Sequence, residues 1–409
     1  MIKKLFLCYI PSLDLRRINE NHTPYIYNLF SQYPFVNINT IPIYDTLPTI
    51  LTGVYPPKLN TDVSINTNYK STFTDSIIDL LPDFLTKLIQ GFIHLITNSY
   101  DLAAIPNRRR RKFSNKRIKY KSKKLENILK YDDIPPIFEI IGVNNTNYTH
   151  VKTFKHLNRI KDKLPVGNYK FEVLDIYSLD SLQHWNLDDN DKIINSYKII
   201  DELIIYIHQK CKEKDVRLMI FSDHGQDIVK DTINIKSKLN KLNLEKSEYT
   251  FFNEVNKIRF WFHTDRARGM IMDMLSKITE IEILSYRELN SYNLLYNTTE
   301  FGELFCITKP GFIFYPHDFH LPLANIVIGL TNSDQRKRIF NFKHKGYHHH
   351  LPGNDSEIGF LVFLDNSYKT HKNEHEIIDF APTILSLLGY KQPPWMKGHA
   401  VFKTQNHNS

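Results

Sequence analysis

The feature of the sequence that most constrains its fold is a set of short apolar runs, each of which ends abruptly in polar residues. The runs lie at residues 4–10, 169–177, 217–221 and 358–364, and helical patterns lie between them at 22–32, 190–213 and 375–389. Short apolar runs are typical of buried strands, and strands that alternate with helices indicate a largely parallel sheet covered on both faces. The sequence therefore predicts an α/β fold in which the ligand site lies beyond the carboxyl ends of the strands.

Two stretches fit this alternation poorly, and we interpret them as cap insertions beside the site. Residues 76–165 contain an amphipathic segment, a basic block and the break at Pro135-Pro136, and residues 262–335 show little clear period. The predicted core consists of residues 1–75, 166–261 and 336–409.

The composition indicates a globular protein with a sizeable core. Hydrophobic residues make up 42% of the 409 residues, and no window approaches the roughly 18 to 20 apolar residues that a membrane span needs. The three cysteines, Cys8, Cys211 and Cys306, are odd in number and far apart, which argues against a disulfide framework and favours a reducing compartment. The short apolar start of the chain shows no small-residue cleavage site. We therefore expect a cytoplasmic protein.

Positive charge is concentrated in one block. The net charge is +9, and residues 108–124 contribute eleven positive charges and no negative one. We interpret this block as a solvated loop, and without aromatic interleaving or a nucleic-acid fold signature we expect no nucleic-acid binding. The amphipathic segment at 81–96 precedes the block. Its packing on the core is the preferred interpretation, and peripheral contact with an anionic membrane is the alternative.

Polar residues that follow two of the apolar runs have the donor atoms and the spacing of a metal site. Asp180 and His184 follow the second run, and Asp223 and His224 follow the third. A spacing of four places two side chains on one face of a helical turn, so Asp180 and His184 can share a cation. Mixed carboxylate and imidazole donors suit zinc. Ordinary surface hydrogen bonding is the alternative interpretation of either pair alone.

A hydroxyl group and further donors lie elsewhere in the chain. Thr46 precedes Pro48, which is well placed for the first turn of a helix. A hydroxyl at a helix N-terminus that faces cations can be deprotonated and attack phosphorus, whereas a plain N-cap is the alternative. Asp14 lies just past the first apolar run, and a triple histidine at 348–350 precedes the fourth.

Along the chain, the candidate residues come in the order Asp14, Thr46, Asp180 with His184, Asp223 with His224, and the triple histidine. This order resembles the ligand order of the type I phosphodiesterases and nucleotide pyrophosphatases of the alkaline phosphatase superfamily. The Thr-Pro at 23–24, the Leu-Thr-Gly-Val-Tyr-Pro at 51–56 and the segment 379–389 are similar to further motifs of that superfamily. Each motif is short, but their joint occurrence in the right order is far more specific than any one alone. The resemblance implies an alkaline phosphatase-like core, with a mostly parallel central sheet and helices on both faces. It covers residues 1–60, 168–228 and 343–402.

Carried over residue by residue, the resemblance implies two metal sites with a nucleophile between them. One metal is held by Asp14, Asp223 and His224, the other is held by Asp180, His184 and His348, and the nucleophile is Thr46. His349 and His350 are the alternatives to His348.

The chain departs from the family pattern at two positions. In the family the first aspartate follows the strand directly, whereas here Pro11-Ser12 occupies that place and Asp14 comes later. The family's nucleophile also lies further ahead of the Thr-Gly phrase than Thr46 does. Thr49 and Thr40 are therefore kept as alternative nucleophiles.

The resemblance implies a hydrolase of phosphodiester or pyrophosphate bonds that works through a phosphothreonine intermediate at a two-metal site. Two divalent ions are expected, with zinc as the preferred metal and manganese or iron as alternatives. The implied substrate is a small phosphorylated molecule such as a nucleotide or sugar-nucleotide. The alternatives are a phosphomutase or phosphomonoesterase of the same superfamily and a non-catalytic member that binds a phosphorylated ligand. The sulfatase branch is disfavoured because the chain has no Cys-x-Pro-x-Arg sequence.

Overall fold

The computed structural model describes most of the chain outside the first predicted cap. The described residues are 2–41, 46–55, 63–65, 85, 113–115, 134–245, 247–294, 302–317, 343–370, 372 and 374–405. The predicted amphipathic segment at 81–96 and the basic block at 108–124 therefore lie outside the described residues, apart from Leu85 and the strand Phe113–Asn115. In the described part of the chain, no helix combines the length and the hydrophobicity that a membrane span requires.

Strands are distributed along the whole chain. In chain order they are β1 Leu5–Tyr9, β2 Phe35–Asn39, β3 Val63–Ile65, β4 Phe113–Asn115, β5 Thr146–His150, β6 Phe171–Asp175, β7 Arg217–Ser222, β8 Asp227–Ile228, β9 Asp231–Ile233, β10 Tyr249–Asn253, β11 Lys257–Phe262, β12 Ile281–Leu284, β13 Leu304–Thr308, β14 Phe312–Phe314, β15 Gly346–Tyr347, β16 Ile358–Phe363, β17 Tyr368–Thr370, β18 Glu374–Glu376 and β19 Phe402–Thr404.

Helices alternate with many of these strands. The α-helices are Pro24–Gln32, Leu47–Thr52, Ile137–Ile141, Phe154–Ile160, Tyr177–Asn186, Asn190–Glu213, Ile235–Asn240, Asp265–Ser276, Tyr286–Ser291 and Phe380–Leu387. Short 3-10 helices lie at Leu15–Arg17, Val143–Asn145, Lys161–Lys163, Asp355–Glu357 and Ile377–Asp379.

Contacts within the chain divide it into two units. The first consists of Met1–Leu59, Lys121–Ile228 and Leu351–Ser409, and the second consists of Asn60–Tyr120 and Val229–His350. Strand β5 thus belongs to the first unit, although the sequence analysis assigned it to the cap at 76–165. Strand β11 belongs to the second unit, although it falls almost entirely within the predicted core segment 166–261.

The first unit contains a seven-stranded sheet in the order β18-β2-β16-β7-β1-β6-β5. Strand β1 is parallel to both β6 and β7, and β5 is parallel to β6. Strand β16 is antiparallel to β7 and to β2. Every residue of β1 and β6 is buried, as expected of parallel strands with both faces covered. The predicted α/β fold with a mostly parallel central sheet is confirmed.

Two helices show how the faces of this sheet are covered. Helix Asn190–Glu213 buries a stripe at helical spacing that packs with Phe6 and Cys8 of β1. On strand β7, the ring of Phe221 contacts Phe380 of helix Phe380–Leu387, with 4.5 Å between the ring centroids. Side chains of a strand alternate between faces, so the two helices lie on opposite sides of the sheet.

Helix Leu47–Thr52 packs against helix Phe380–Leu387 and ends at Gly53, whose φ of +64° is in the left-handed region. A Cβ at Gly53 would lie 3.3 Å from Ala381 Cβ and 3.1 Å from Met396 Cγ. Glycine therefore suits this position both because it adopts the left-handed conformation and because it has no side chain to collide with these neighbours. The packing of this short helix against helix Phe380–Leu387 fixes the position of Thr46, which immediately precedes its first turn.

The second unit contains a four-stranded antiparallel sheet in the order β10-β11-β13-β12. Helix Asp265–Ser276 packs Ile271 and Leu275 against Ile258 and Phe260 of β11. Lys257 and Arg259 of the same strand are also buried, and both form ion pairs with the buried carboxylate of Glu254, which precedes the strand.

Candidate active site

The carboxyl ends of three neighbouring strands in the first unit carry the polar residues of the candidate site. Strands β6, β1 and β7 are adjacent and parallel, so the residues that follow them lie at one edge of the sheet. Ser12 follows β1, Asp180 lies in the helix that begins after β6, and Asp223 and His224 follow β7 directly. All four are nearly or fully buried.

Thr46 is hydrogen-bonded to the carboxylate that follows β7. Its hydroxyl donates to Asp223 Oδ2 at 2.5 Å, and the Tyr9 hydroxyl donates to the same oxygen at 2.8 Å. The other oxygen, Asp223 Oδ1, is buried and has no hydrogen-bond partner among the described residues. Thr46 occupies the N-cap position of helix Leu47–Thr52, but its side chain makes no cap hydrogen bond. The hydroxyl is thus directed at the carboxylate and not at the end of the helix.

The two alternative threonines have different surroundings. Thr49 and Thr40 are buried, and their hydroxyl oxygens have no hydrogen-bond partner in the described part of the chain. Of the three threonines considered, Thr46 is the one whose hydroxyl is bonded to Asp223.

Two pairs of side chains have the spacing of metal ligands. Asp180 Oδ2 lies 3.5 Å from His184 Nε2, and Asp223 Oδ2 lies 3.4 Å from His224 Nε2. Two donor atoms at zinc-ligand distances in a tetrahedral site are separated by about 3.4 Å. Helix Tyr177–Asn186 aligns the first pair because its members are four residues apart. Together with the unpartnered Asp223 Oδ1, these distances show that the residues present fit divalent metal ions.

The electrostatics of the site are dominated by buried carboxylates. Burial opposes the protonation of His224, but the carboxylates of Asp223, Asp180 and Glu357 outweigh it and raise the pKa of this imidazole above its ordinary value. Buried carboxylates are costly unless cations balance them. The site therefore favours the binding of positive charge.

Asp14, the predicted ligand after β1, is engaged by an arginine. Both carboxylate oxygens accept hydrogen bonds from the Arg16 guanidinium, at 2.6 to 3.1 Å, and Asp14 is 1% exposed. Arg16 also donates to Asp227 Oδ1 at 2.8 Å. A Cβ at Gly225 would collide with the Asp14 carboxylate, which explains the glycine of the Asp-His-Gly motif. The charge of Asp14 is thus balanced within the chain.

Ser12 is a residue of the site that the sequence analysis did not assign. Its Oγ lies 2.5 Å from Asp180 Oδ1 and 3.2 Å from His224 Nδ1, and Gln226 Nε2 lies 3.1 Å away. The signal in the sequence that could have identified Ser12 was its position, because Pro11-Ser12 stands where the family has its first aspartate.

His348 belongs to the second unit. It is 6% exposed, and the rings of His348 and His349 are 3.9 Å apart. Asn256 Nδ2 donates to the carbonyl oxygens of both residues, at 3.2 and 2.7 Å. His350 is buried, with its Nδ1 3.1 Å from the Thr308 carbonyl oxygen. The histidine segment is thus anchored within its own unit through its backbone and through His350.

Comparisons with known proteins address the family and the fold. The sequence model of the type I phosphodiesterase / nucleotide pyrophosphatase family matches residues 94–318, just over half of the chain. No curated protein sequence matches the chain.

Among solved structures, mouse ectonucleotide pyrophosphatase/phosphodiesterase 5 is similar at 11% identity and a TM-score of 0.63, with 97% of each chain covered. The human protein of the same name is similar at 12% identity and a TM-score of 0.61, with 96% of each chain covered. An inactive threonine-to-alanine variant of the mouse protein, in complex with AMP, is similar at 10% identity and a TM-score of 0.62, with 98% of this chain and 97% of that chain covered. The fold therefore agrees with the family match and confirms the resemblance seen in the motifs. This chain belongs to the type I phosphodiesterase / nucleotide pyrophosphatase family and is a hydrolase that acts on phosphoric ester bonds.

Proposed function

We propose that the protein cleaves a phosphodiester or pyrophosphate bond of a small nucleotide-like substrate, with Thr46 as the nucleophile and two divalent metal ions as cofactors. The observation that carries the proposal is the 2.5 Å hydrogen bond from Thr46 to Asp223 Oδ2. It places a buried hydroxyl on a carboxylate that is itself paired with His224 at metal-ligand spacing.

The proposed ligands fall into two groups. Asp180 with His184, and Asp223 with His224, are supported by their spacing in the first unit. His348 and Asp14 are carried over from the family motifs, and Asp14 would have to exchange Arg16 for a metal. Zinc suits the mixed nitrogen and oxygen donors, with manganese as the alternative.

The chain's own residues account for the positioning of the nucleophile. Asp223 accepts a hydrogen bond from the Thr46 hydroxyl and so fixes the orientation of the hydroxyl oxygen of Thr46. Tyr9 donates to the same carboxylate oxygen and holds Asp223 in place. Attack by Thr46 on phosphorus would break the bond to one substituent and leave the rest of the phosphoryl group, with its other substituent, on Thr46 as a phosphothreonine ester. Water then hydrolyses that ester, which releases the phosphate monoester and restores the hydroxyl. When bound, two divalent cations would supply positive charge to the oxygens of the reacting phosphoryl group.

The proposed substrate carries a diester or pyrophosphate bond. A diester carries one negative charge fewer than a monoester dianion, so two metals and a hydroxyl can stabilise its transition state without additional cationic side chains. The similar mouse structure with bound AMP supports a nucleotide-like substrate.

A comparison of two chromogenic substrates tests this reaction class. With zinc supplied, kcat/KM is expected to be clearly higher for bis-nitrophenyl phosphate than for mono-nitrophenyl phosphate. The Thr46→Ala protein, purified in parallel, reports any contaminating phosphatase. A clear preference for the monoester would contradict the phosphodiesterase assignment, and interconversion of a phosphosugar without hydrolysis would favour a phosphomutase.

Metal content tests the cofactor part of the proposal. The purified protein is expected to carry close to two zinc-like ions, to lose activity in a chelator and to regain it when metal is returned. Asp223→Ala should lower the bound metal, whereas Asp227→Ala, which removes a partly exposed carboxylate paired with Arg16, serves as the control. Full metal content in the Asp223→Ala protein would rule out this ligand assignment.

A further inference from the structure

Ser12 lies between the two candidate metal pairs of the first unit. It is fully buried and follows Pro11 with a φ of +64°, a left-handed conformation that is uncommon for a residue with a side chain. Its single hydroxyl contacts Asp180 of one pair and His224 of the other.

The neighbours of the Ser12 hydroxyl fix the direction of each hydrogen bond. His224 Nδ1 lies 3.0 Å from the Gly225 carbonyl oxygen, which can only accept, so Nδ1 carries the hydrogen. The Nε2 of Gln226 lies near two oxygens of Asp180, at 2.7 and 3.2 Å, and therefore donates as well. Ser12 Oγ thus accepts from His224, whose one Nδ1 hydrogen is shared with the Gly225 carbonyl oxygen, and from Gln226, whose two Nε2 hydrogens are shared among three oxygens. The hydrogen of Ser12 goes to Asp180 Oδ1.

This arrangement determines which atom of His224 and which oxygen of Asp180 face the other member of their pair. With the hydrogen on Nδ1, the lone pair of His224 is on Nε2, the nitrogen that lies 3.4 Å from Asp223 Oδ2. With Oδ1 of Asp180 held by Ser12 and Gln226, the other oxygen is the one that lies 3.5 Å from His184 Nε2. One hydroxyl therefore orients a donor atom in each pair.

We propose that Ser12 is a positioning residue that couples the two metal sites, because its hydroxyl holds the His224 ring on one side and fixes the rotation of the Asp180 carboxylate on the other. The inference rests on the proposed metal-dependent function. It also gives a role to the position where the family has its first aspartate, because a serine there contributes a hydrogen-bond bridge in place of a charged ligand. Groups that orient metal ligands in this way typically change metal affinity about 10- to 100-fold when they are removed.

Ser12→Gly is the sharpest test variant. Glycine adopts a φ of +64° without strain, so the substitution removes the hydroxyl while it keeps or improves the local backbone. Ser178→Ala is the matched control, because Ser178 is a buried serine in the helix of Asp180 and its hydroxyl has no hydrogen-bond partner among the described residues.

The measurement is zinc affinity by competition with a chromophoric chelator, together with the thermal unfolding midpoint of the metal-free proteins. For Ser12→Gly we expect both zinc equivalents to bind about 10- to 100-fold more weakly, with an unchanged or higher midpoint. Ser178→Ala should bind zinc as the wild type does. Two tightly bound equivalents in Ser12→Gly, or weakening of only one, would overturn the role of Ser12 while the metal-dependent function stands. Failure of the wild-type protein to bind zinc or manganese would overturn both.

Discussion

Asp201 stabilises the start of a neighbouring helix, and its removal should have a large and measurable cost. The carboxylate accepts hydrogen bonds from Tyr25 N at 3.1 Å and from Ile26 N at 2.8 Å, in the first turn of helix Pro24–Gln32. The natural N-cap, Thr23, makes no side-chain cap hydrogen bond there. Asp201, although it lies in helix Asn190–Glu213 and is 4% exposed, therefore provides the cap.

The magnitude follows from these two contacts. A hydrogen bond to a charged group contributes about 1.5 to 3 kcal/mol, and a negative charge at a helix N-terminus adds about 0.3 to 1 kcal/mol. Burial disfavours the ionised form more strongly than the two N–H groups favour it, so the pKa of Asp201 is raised. We expect Asp201→Ala to lower the free energy of unfolding by about 3 kcal/mol. Asp201→Asn keeps one of the two accepting oxygens and should cost about 1 to 2 kcal/mol.

Thermal unfolding of the two variants tests this reasoning. For a unit of this size, about 3 kcal/mol corresponds to a midpoint lower by roughly 6 to 12 °C. Glu202→Ala, which removes the exposed carboxylate next along the same helix, is the control and should change the midpoint little. If Asp201→Ala unfolds at the same temperature as Glu202→Ala, Asp201 does not cap this helix.

Two further predictions concern buried charge. Burial raises the pKa of Glu172 to about 7 against the effect of backbone N–H groups and Lys4. Because the unfolded chain ionises this carboxyl near its ordinary pKa of 4.5, the unfolding midpoint should fall as the pH rises from about 4.5 to about 7, and should fall less in Glu172→Gln. In the second unit, Glu254 lies 3.3 Å from Lys257 Nζ and 3.0 Å from an Arg259 nitrogen. Glu254→Ala should therefore destabilise that unit by about 3 to 5 kcal/mol in urea unfolding, and a loss below about 1 kcal/mol would contradict this expectation.

The sequence predicted those elements whose apolar pattern is strong. The pattern at 190–213 corresponds to helix Asn190–Glu213, and the run at 217–221 corresponds to Arg217–Ser222. The direction of Ile358–Phe363 was not predictable, because a buried strand has an apolar run whichever way it runs. Edge strand Thr146–His150 was missed because its polar and half-buried side chains do not form an apolar run.

Parts of the site were also predictable from position. Asp180, His184, Asp223 and His224 could be singled out because they follow predicted strands at ligand spacing. The pairing of Asp14 with Arg16 could not be predicted, since it depends on the 3-10 helix Leu15–Arg17, which folds the guanidinium back on the carboxylate. The bridging contacts of Ser12 could not be predicted either, because residues far apart in the sequence form them.

The segment 375–389 shows how one helical pattern can contain several elements. It comprises the edge strand Glu374–Glu376, the 3-10 helix Ile377–Asp379 and helix Phe380–Leu387. Asp379 is polar and does not belong to the apolar stripe of a helix. Instead it accepts a hydrogen bond from His399 N at 2.7 Å, and its backbone carbonyl accepts one from the Thr383 hydroxyl at 2.6 Å.

The identity of the nucleophile is the central claim, and turnover by Thr46→Ala and Thr49→Ala under identical conditions tests it most directly. Thr46→Ala should lose nearly all hydrolysis of bis-nitrophenyl phosphate, because it removes the hydroxyl that is bonded to Asp223. Since that hydroxyl makes no cap hydrogen bond, the helix end should be unaffected. Loss of the hydrogen bond to the buried Asp223 carboxylate should lower the free energy of unfolding by about 1.5 to 3 kcal/mol. Thr49→Ala should retain turnover. Acid-quenched wild-type protein should carry a mono-nitrophenyl phosphoryl group on Thr46 by mass spectrometry, because attack on the diester displaces only one of its two nitrophenolates. Normal turnover in Thr46→Ala together with an inactive Thr49→Ala would contradict the assignment and place the nucleophile one helical turn further along the chain.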